Sequence, residues 1–286
     1  EEFDLEDTDE FLEDWERHPL AQTRPELVEA MGLIYLAWDE MNPAQRIQLA
    51  RQALERSPDC AEAYNLLAEN LAVNQGQELK YYQKAVEAGR RAVGEAFIEE
   101  HRGRLWQEVP ARPYLRGLAG VTRVLWGLGR REEAMRNFKE LLALDEQDAL
   151  YARYGLQFLY LELGQWAEAH NLSRQFGDED CQWLYNCALI SFHQLGEQEE
   201  SQRYLAMALK INSHVPDYLS GRLRLPAEQP ESIRPGHKSE AIQYATIFNS
   251  FWRQAPGAID WLRKTSRAGD RSQPAKPIPK KTTRRR

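Results

Sequence analysis

Residues 118–148 read LAGVTRVLWGLGRREEAMRNFKELLALDEQD. Two stretches with helical apolar spacing flank Gly129, and Ala134 and Phe138 stand four apart in the second of them. A small residue followed one turn later by a bulky one suits a helix that must pack closely on its neighbour and then fill the next gap. The same grammar returns downstream. Turn glycines recur at Gly129, Gly164 and Gly196, spaced 35 and 32 apart. Leu156 and Tyr160 precede Gly164, and Trp166 and Ala169 follow it. Tyr185, Ala188, Leu189 and Phe192 precede Gly196, and Leu205 and Ala208 belong to the helix after it, which ends at Asn212-Ser213. A period near 34 residues predicts an all-α helical solenoid of about four helix–turn–helix repeats.

Upstream the rhythm is less regular. A helix is expected from Glu26 to Glu40. Asn42-Pro43 starts another, to Arg56, because asparagine caps and proline suits the first helical position. Tyr64-x2-Leu67-Ala68-x2-Leu71 is a further first-helix pattern, with Gln75-Gly76-Gln77 read as its turn. Gly76 and Gly129 are 53 apart, so roughly 19 residues are inserted relative to a ~34-residue period. The insertion, about 78–110, is read as a long helix to Val93 followed by a short element. After 212, residues 214–237 read as a loop with one short helix. Lys238–Trp252 and Pro256–Lys264 then form a helical cap over about 238–264. The repeat domain is thus placed at 19–264, between an acidic N-terminal arm, 1–18, and a basic tail, 265–286, expected to be disordered.

The spacing resembles that of tetratricopeptide-repeat proteins, whose signature includes a small alanine followed after three residues by a bulky one. Three segments carry a narrower resemblance: Arg112-Pro113-Tyr114-Leu115-Arg116, Asn212-Ser213-His214-Val215-Pro216-Asp217-Tyr218-Leu219 and Ala255-Pro256-Gly257-Ala258-Ile259-Asp260-Trp261-Leu262, with Pro58–Tyr64 adding an earlier match. By these the chain resembles bacterial tetratricopeptide proteins related to the eukaryotic suppressor-of-tumorigenicity-seven family. That resemblance implies a helical-repeat fold with no catalytic motif to transfer. The eukaryotic members look membrane-associated, a property not carried over to this chain.

Composition bounds the rest. The chain has 286 residues, 42% hydrophobic and 28% charged, with a net charge of -7. Its densest apolar run, Leu33–Trp38, is far short of the ~18 residues a membrane helix needs. The chain begins at Glu1 rather than methionine, which leaves room for a removed leader. Three cysteines, Cys60, Cys181 and Cys187, are too few for a disulfide framework and read as buried thiols of a cytoplasmic protein. Glu1–Glu16 holds ten acids and no base, whereas Arg263–Arg286 holds ten bases and one acid, Asp270. The tail, ending Lys280-Lys281 and Arg284-Arg285-Arg286, is a candidate for weak, salt-dependent nucleic-acid contact.

No nucleotide, zinc or nucleophile motif occurs, and no two of the six histidines share a helical face at i, i+3 or i+4. Glu99-Glu100-His101 beside Arg102 reads as a solvated charge cluster. No enzyme activity, cofactor or metal is therefore expected. A partner-binding groove is expected instead, formed by the first helix of each repeat: Asn65, then Arg116, Arg123 and Trp126, then Tyr151, Tyr154 and Phe158, then Trp183, Asn186 and His193. Arginines grip carboxylates and aromatics supply anchors, so an acidic peptide with apolar anchors is the expected partner. The arm, with Phe3, Leu5, Phe11 and Trp15, could self-dock there. Glu69 would repel a carboxylate, and a one-residue shift in helical phase would turn the aromatics into inter-helix core.

Overall fold

In the computed structural model, residue 15 and residues 17–177 and 180–272 are described. They are all-α; the one β-type pairing among them is an isolated bridge between Arg104 and Asp145. The chain divides into two compact units, the first ending at Leu159 and the second starting at Tyr160.

In the first unit, α1 (Pro19–Thr23) leads into α2 (Pro25–Asp39) and α3 (Pro43–Arg56). There follow α4 (Ala61–Asn70), α5 (Gln75–Val93), α6 (Glu95–Glu100), α7 (Arg112–Gly127) and α8 (Arg131–Leu144). The unit boundary falls inside α9 (Ala152–Glu162). Successive helices pair: α2 with α3, α4 with α5, α7 with α8, and α5 also lies along α7.

Local chemistry sets the helix starts. Asn42 Oδ1 accepts from the Ala44 amide at 2.9 Å, and Pro43 occupies the first turn, as expected. Asn74 Oδ1 accepts from the Gln77 amide at 3.0 Å. That cap corrects the reading of residues 75–77 as a turn. They are the first turn of α5, Gly76 is helical, and the chain reverses before Asn74. Gly129, with φ of 78°, does occupy the left-handed turn position. Asp148 caps α9 through both oxygens, accepting from the Ala152 amide at 2.6 Å and the Arg153 amide at 3.0 Å.

Close helix approach is bought with glycine. A Cβ on Gly89 of α5 would lie 2.6 Å from Tyr114 Cβ and 2.9 Å from Tyr114 Cα; one on Gly120 of α7 would lie 2.3 Å from the Tyr82 ring. Phe138 presses on Gly155 in the same way, at 2.2 Å from its would-be Cβ. The Tyr114 backbone cannot yield without moving α7. Gly89→Ala is therefore expected to destabilise the first unit by about 1–3 kcal/mol despite alanine's better helix propensity, measured by urea unfolding.

The insertion is packed. Ile98 and Leu105 are buried beside Val93, Tyr114 and Leu144, and the Gly103 carbonyl accepts from the Glu146 amide at 2.8 Å. The solvated-cluster reading holds for Glu99 and Arg102, which are exposed and paired, but not for His101. Its ring stacks on Phe97 at 4.1 Å, Nδ1 lies 2.9 Å from the Phe97 carbonyl, and Nε2 lies 3.6 Å from Glu108. His18 Nε2 reaches the other Glu108 oxygen at 3.5 Å. Just before it, Trp15 is buried with Leu27, Met31 and Ile34. The remainder of the acidic arm before Trp15 lies outside the described residues.

The second unit holds α10 (Trp166–Ser173), α11 (Cys181–Leu195), α12 (Glu199–Ile211), α13 (Val215–Leu219), α14 (Lys238–Gln254) and α15 (Ala258–Ser272). Gly164 and Gly196 turn with φ of 67° and 73°. Polar side chains clamp α14 onto α11. Tyr244 donates to Asn186 Oδ1 and receives from Trp252 Nε1, each at 2.9 Å. Tyr185 donates to the Asn212 carbonyl at 2.6 Å, while the Asn212 amide donates to Glu240 at 2.8 Å. The second cap helix was expected over 256–264. It starts at Ala258, after Pro256 and left-handed Gly257, and continues to Ser272 because no proline interrupts it. The rest of the basic tail is outside the described residues.

All three cysteines are buried free thiols. Burial pushes the Cys60 thiol up to about 12 and raises Cys181 further. We expect no thiol to react with an aromatic disulfide reagent at pH 8 in the native state, and three to react in denaturant.

Candidate partner-binding face

The face built by α2, α4, α5 and α7 carries two arginine clusters. Arg116 donates through Nε and Nη2 to Glu62 Oε2, at 3.1 and 2.8 Å. The same oxygen accepts from Asn65 Nδ2 at 3.1 Å. On its other side the Arg116 guanidinium lies 5.7 Å from the centre of the Trp38 ring. Arg123, seven residues on, repeats the design: Nη2 donates to Glu78 at 2.6 Å and to the Tyr82 hydroxyl at 3.1 Å, and the guanidinium sits 5.7 Å over the Tyr82 ring. Each arginine thus has a carboxylate and an aromatic face, and each commits only some of its five N–H donors.

Between them in charge stands Glu69. It is exposed and makes no hydrogen bond or ion pair among the described residues. Loss of hydration pushes its carboxyl above the usual range; Glu62 adds to the rise, and Arg116 and Arg123 oppose it. Beside the two arginines and their paired acids, Glu62 and Glu78, the face thus carries a third carboxylate that accepts no hydrogen bond among the described residues.

Residues 23–176, more than half of the chain, match the family described as ST7 protein. The chain belongs to the ST7 family. The arginine face lies wholly inside the matched segment. Among relatives, the chain is 29% identical to "Protein ST7 homolog" of Drosophila melanogaster over 266 residues, covering 83% of this chain and 48% of that protein. It is 30% identical to "Suppressor of tumorigenicity 7 protein-like" of Bos taurus, covering 80% and 45%. For the protein of the same description from Homo sapiens the figures are 29%, 80% and 44%. The chain thus spans about half the length of these relatives. No described helix of this ST7-family chain is long and apolar enough to cross a membrane.

The expected groove residues fall into three groups. Arg116 and Arg123 reach the surface together, as their spacing on α7 implied. Trp126, Tyr154 and Phe158 are half-buried. Trp126 packs on Phe138 at 5.9 Å and Phe158 at 5.3 Å, which is inter-helix packing. Tyr151 is 63% exposed, in a left-handed conformation with φ of 56°. Its ring and that of Tyr154 flank the Arg153 guanidinium at 5.3 and 4.7 Å. In the second unit His193 is exposed and stacks on Trp166 at 4.0 Å; burial of one side lowers its pKa.

Three residues need correction. Asn65 is buried, with Nδ2 also donating to the Pro113 carbonyl at 3.0 Å and Oδ1 facing Gly117 without a donor. Trp183 and Asn186 are fully buried, Asn186 in the Tyr244 clamp. None of the three offers a surface to a partner. Buried residues run around both α4 and α11, so neither helix offers the open face the groove reading needs at these positions. Sequence reading missed Trp38, Glu62, Glu78 and Tyr82. The available signal was weak: each is a polar or aromatic residue on a predicted helix, and only the long-range fold brings it to α7. Among the described residues no three His, Cys, Asp or Glu side chains gather to hold a metal.

Proposed function

We propose that this chain is a protein-interaction scaffold or adaptor. It holds a peptide or helix of a partner on the α2–α4–α5–α7 face and acts by binding, not catalysis. The observation that carries this reading is the pair of arginines stacked on Trp38 and Tyr82, anchored by carboxylates from other helices with donors to spare. Stacked, oriented arginines beside aromatic surface are what interface anchors consist of. The repeat spacing and the Phe138-into-Gly155 contact support a tetratricopeptide-like character, whose first helices line a ligand groove.

The charge order refines the partner. A purely acidic peptide would be opposed by Glu69. A segment with two carboxylates about 10 Å apart, the axial distance spanned by seven helical residues, and a lysine or arginine between them would match Arg116, Glu69 and Arg123.

The test is affinity enrichment from native lysate with Arg123→Glu and Glu69→Lys. Both positions are exposed, so folding should survive. A partner lost in both variants, and regained with neither by adding the basic tail in trans, fits the reading. A partner set that depends only on residues 265–286, with a steep salt dependence, would favour nucleic-acid association through the tail.

A further inference from the structure

The second unit contains a small cleft that the partner-binding reading does not use. It lies between α13 and α15, has a volume of about 230 Å³, and is lined by Pro216, Ser220, Gly221, Arg222, Arg263 and Ser266. The lining residues bring two arginines and two serines and no acidic residue. We propose that this cleft binds a phosphate group.

Each arginine is held by neighbours, one of them the Ser220 backbone of the cleft lining itself. Arg263 donates through Nη2 to the Ser220 carbonyl at 2.7 Å and through Nη1 to Asp260 at 3.2 Å. Arg222 donates through Nη2 to Asp217. A guanidinium has five N–H donors, so most of those on this pair are unspent. The hydroxyls are weakly engaged: Ser220 Oγ approaches the Asp217 carbonyl at 3.5 Å, and Ser266 Oγ the Arg263 carbonyl at 3.3 Å. Either can rotate toward a better acceptor.

The backbone permits a close approach. Gly221 has φ of 75°, and nothing lies within 4 Å of where its Cβ would be. The left-handed turn carries the chain from Ser220 to Arg222 with both residues on the cleft. A side chain there would strain the turn and stand in open space beside it.

Donor number selects the ligand. A carboxylate has two oxygens and is satisfied by one arginine fork. A phosphomonoester or free phosphate has three or more, enough for both forks and a hydroxyl, and its double charge balances two guanidiniums. The cleft is below the roughly 300–1,000 Å³ of a small-molecule pocket, which suits one charged group and not a whole cofactor. Asp217 and Asp260 do not cancel the preference. Asp260 is 84% exposed in an i,i+3 pair, where screening leaves little attraction, and Asp217 orients Arg222 without lining the cleft.

The experiment titrates inorganic phosphate into the full chain at low ionic strength, with sodium acetate and sodium chloride as matched controls, by calorimetry. A second arm titrates a phosphoserine peptide and its unphosphorylated form. Arg222→Gln is the principal variant, because Arg222 is half-exposed on a loop and holds only Asp217; Arg263→Gln is the second. We expect saturable phosphate binding in the wild type, weakened about tenfold or more by Arg222→Gln with an unchanged circular dichroism spectrum. A phosphopeptide binding more tightly than free phosphate identifies a modified protein as the source; equal binding identifies the free anion. Phosphate binding no better than acetate, or equal in the wild type and Arg222→Gln, overturns the proposal.

Discussion

Replacing Arg116 with leucine is expected to destabilise the first unit by about 3 kcal/mol, the lower part of the range for breaking a buried ion pair. The Glu62 side chain is only 7% exposed and Arg116 31%, so the acid is the buried member. Removing the arginine leaves a carboxylate in the interior with Asn65 as its remaining donor. Replacing both with leucine should recover much of the loss, because the desolvation penalty disappears with the charge and Asn65 keeps the Pro113 carbonyl. A double-mutant cycle in urea measures this directly. A loss below about 1 kcal/mol in the single variant would mean that solvent screens the pair as it screens surface bridges. Charge reversal at Arg116 has the same defect in stronger form. Binding tests therefore belong at Arg123, whose side chain is 62% exposed.

Trp183→Ala is expected to cost the second unit about 3–5 kcal/mol, the usual range for emptying a buried tryptophan site. The residue is fully buried, with Phe176 edge-on at 6.1 Å. His193→Ala, at an exposed position on the same helix, should cost only about 1 kcal/mol, the worth of its stack on Trp166. Thermal or urea unfolding separates the two. If Trp183 were instead an exposed partner anchor, its loss would leave stability unchanged and weaken binding alone.

The contrast between these residues shows what sequence can carry. Asn42-Pro43 and the turn glycines declare themselves locally, because a cap or a positive φ depends on immediate neighbours. The Arg116–Arg123 stripe was equally legible, since a helix fixes its own periodicity. Burial was not. Asn65 is interior because the Pro113 carbonyl, 48 positions away, lies over it, and Arg116 is paired because Glu62 is 54 positions away. Gly76 misled for a related reason. A glycine beside glutamines resembles a turn, but the cap on Asn74 moves the helix start ahead of it. Glu108 gathers His101, from the same insertion, and His18 from far upstream, a relation no helical spacing contains.

The most direct test of the central claim is site-specific photocrosslinking in cells. A photoreactive phenylalanine analogue is placed at Glu69, at Arg123 and, as a control at an exposed position of α3, at Gln52. The account predicts one shared crosslinked protein from positions 69 and 123 and none of it from 52. Its captured segment should carry a basic residue flanked by acids. Crosslinks arising equally at all three positions, or only at 52, would contradict a partner-binding role for the α2–α4–α5–α7 face.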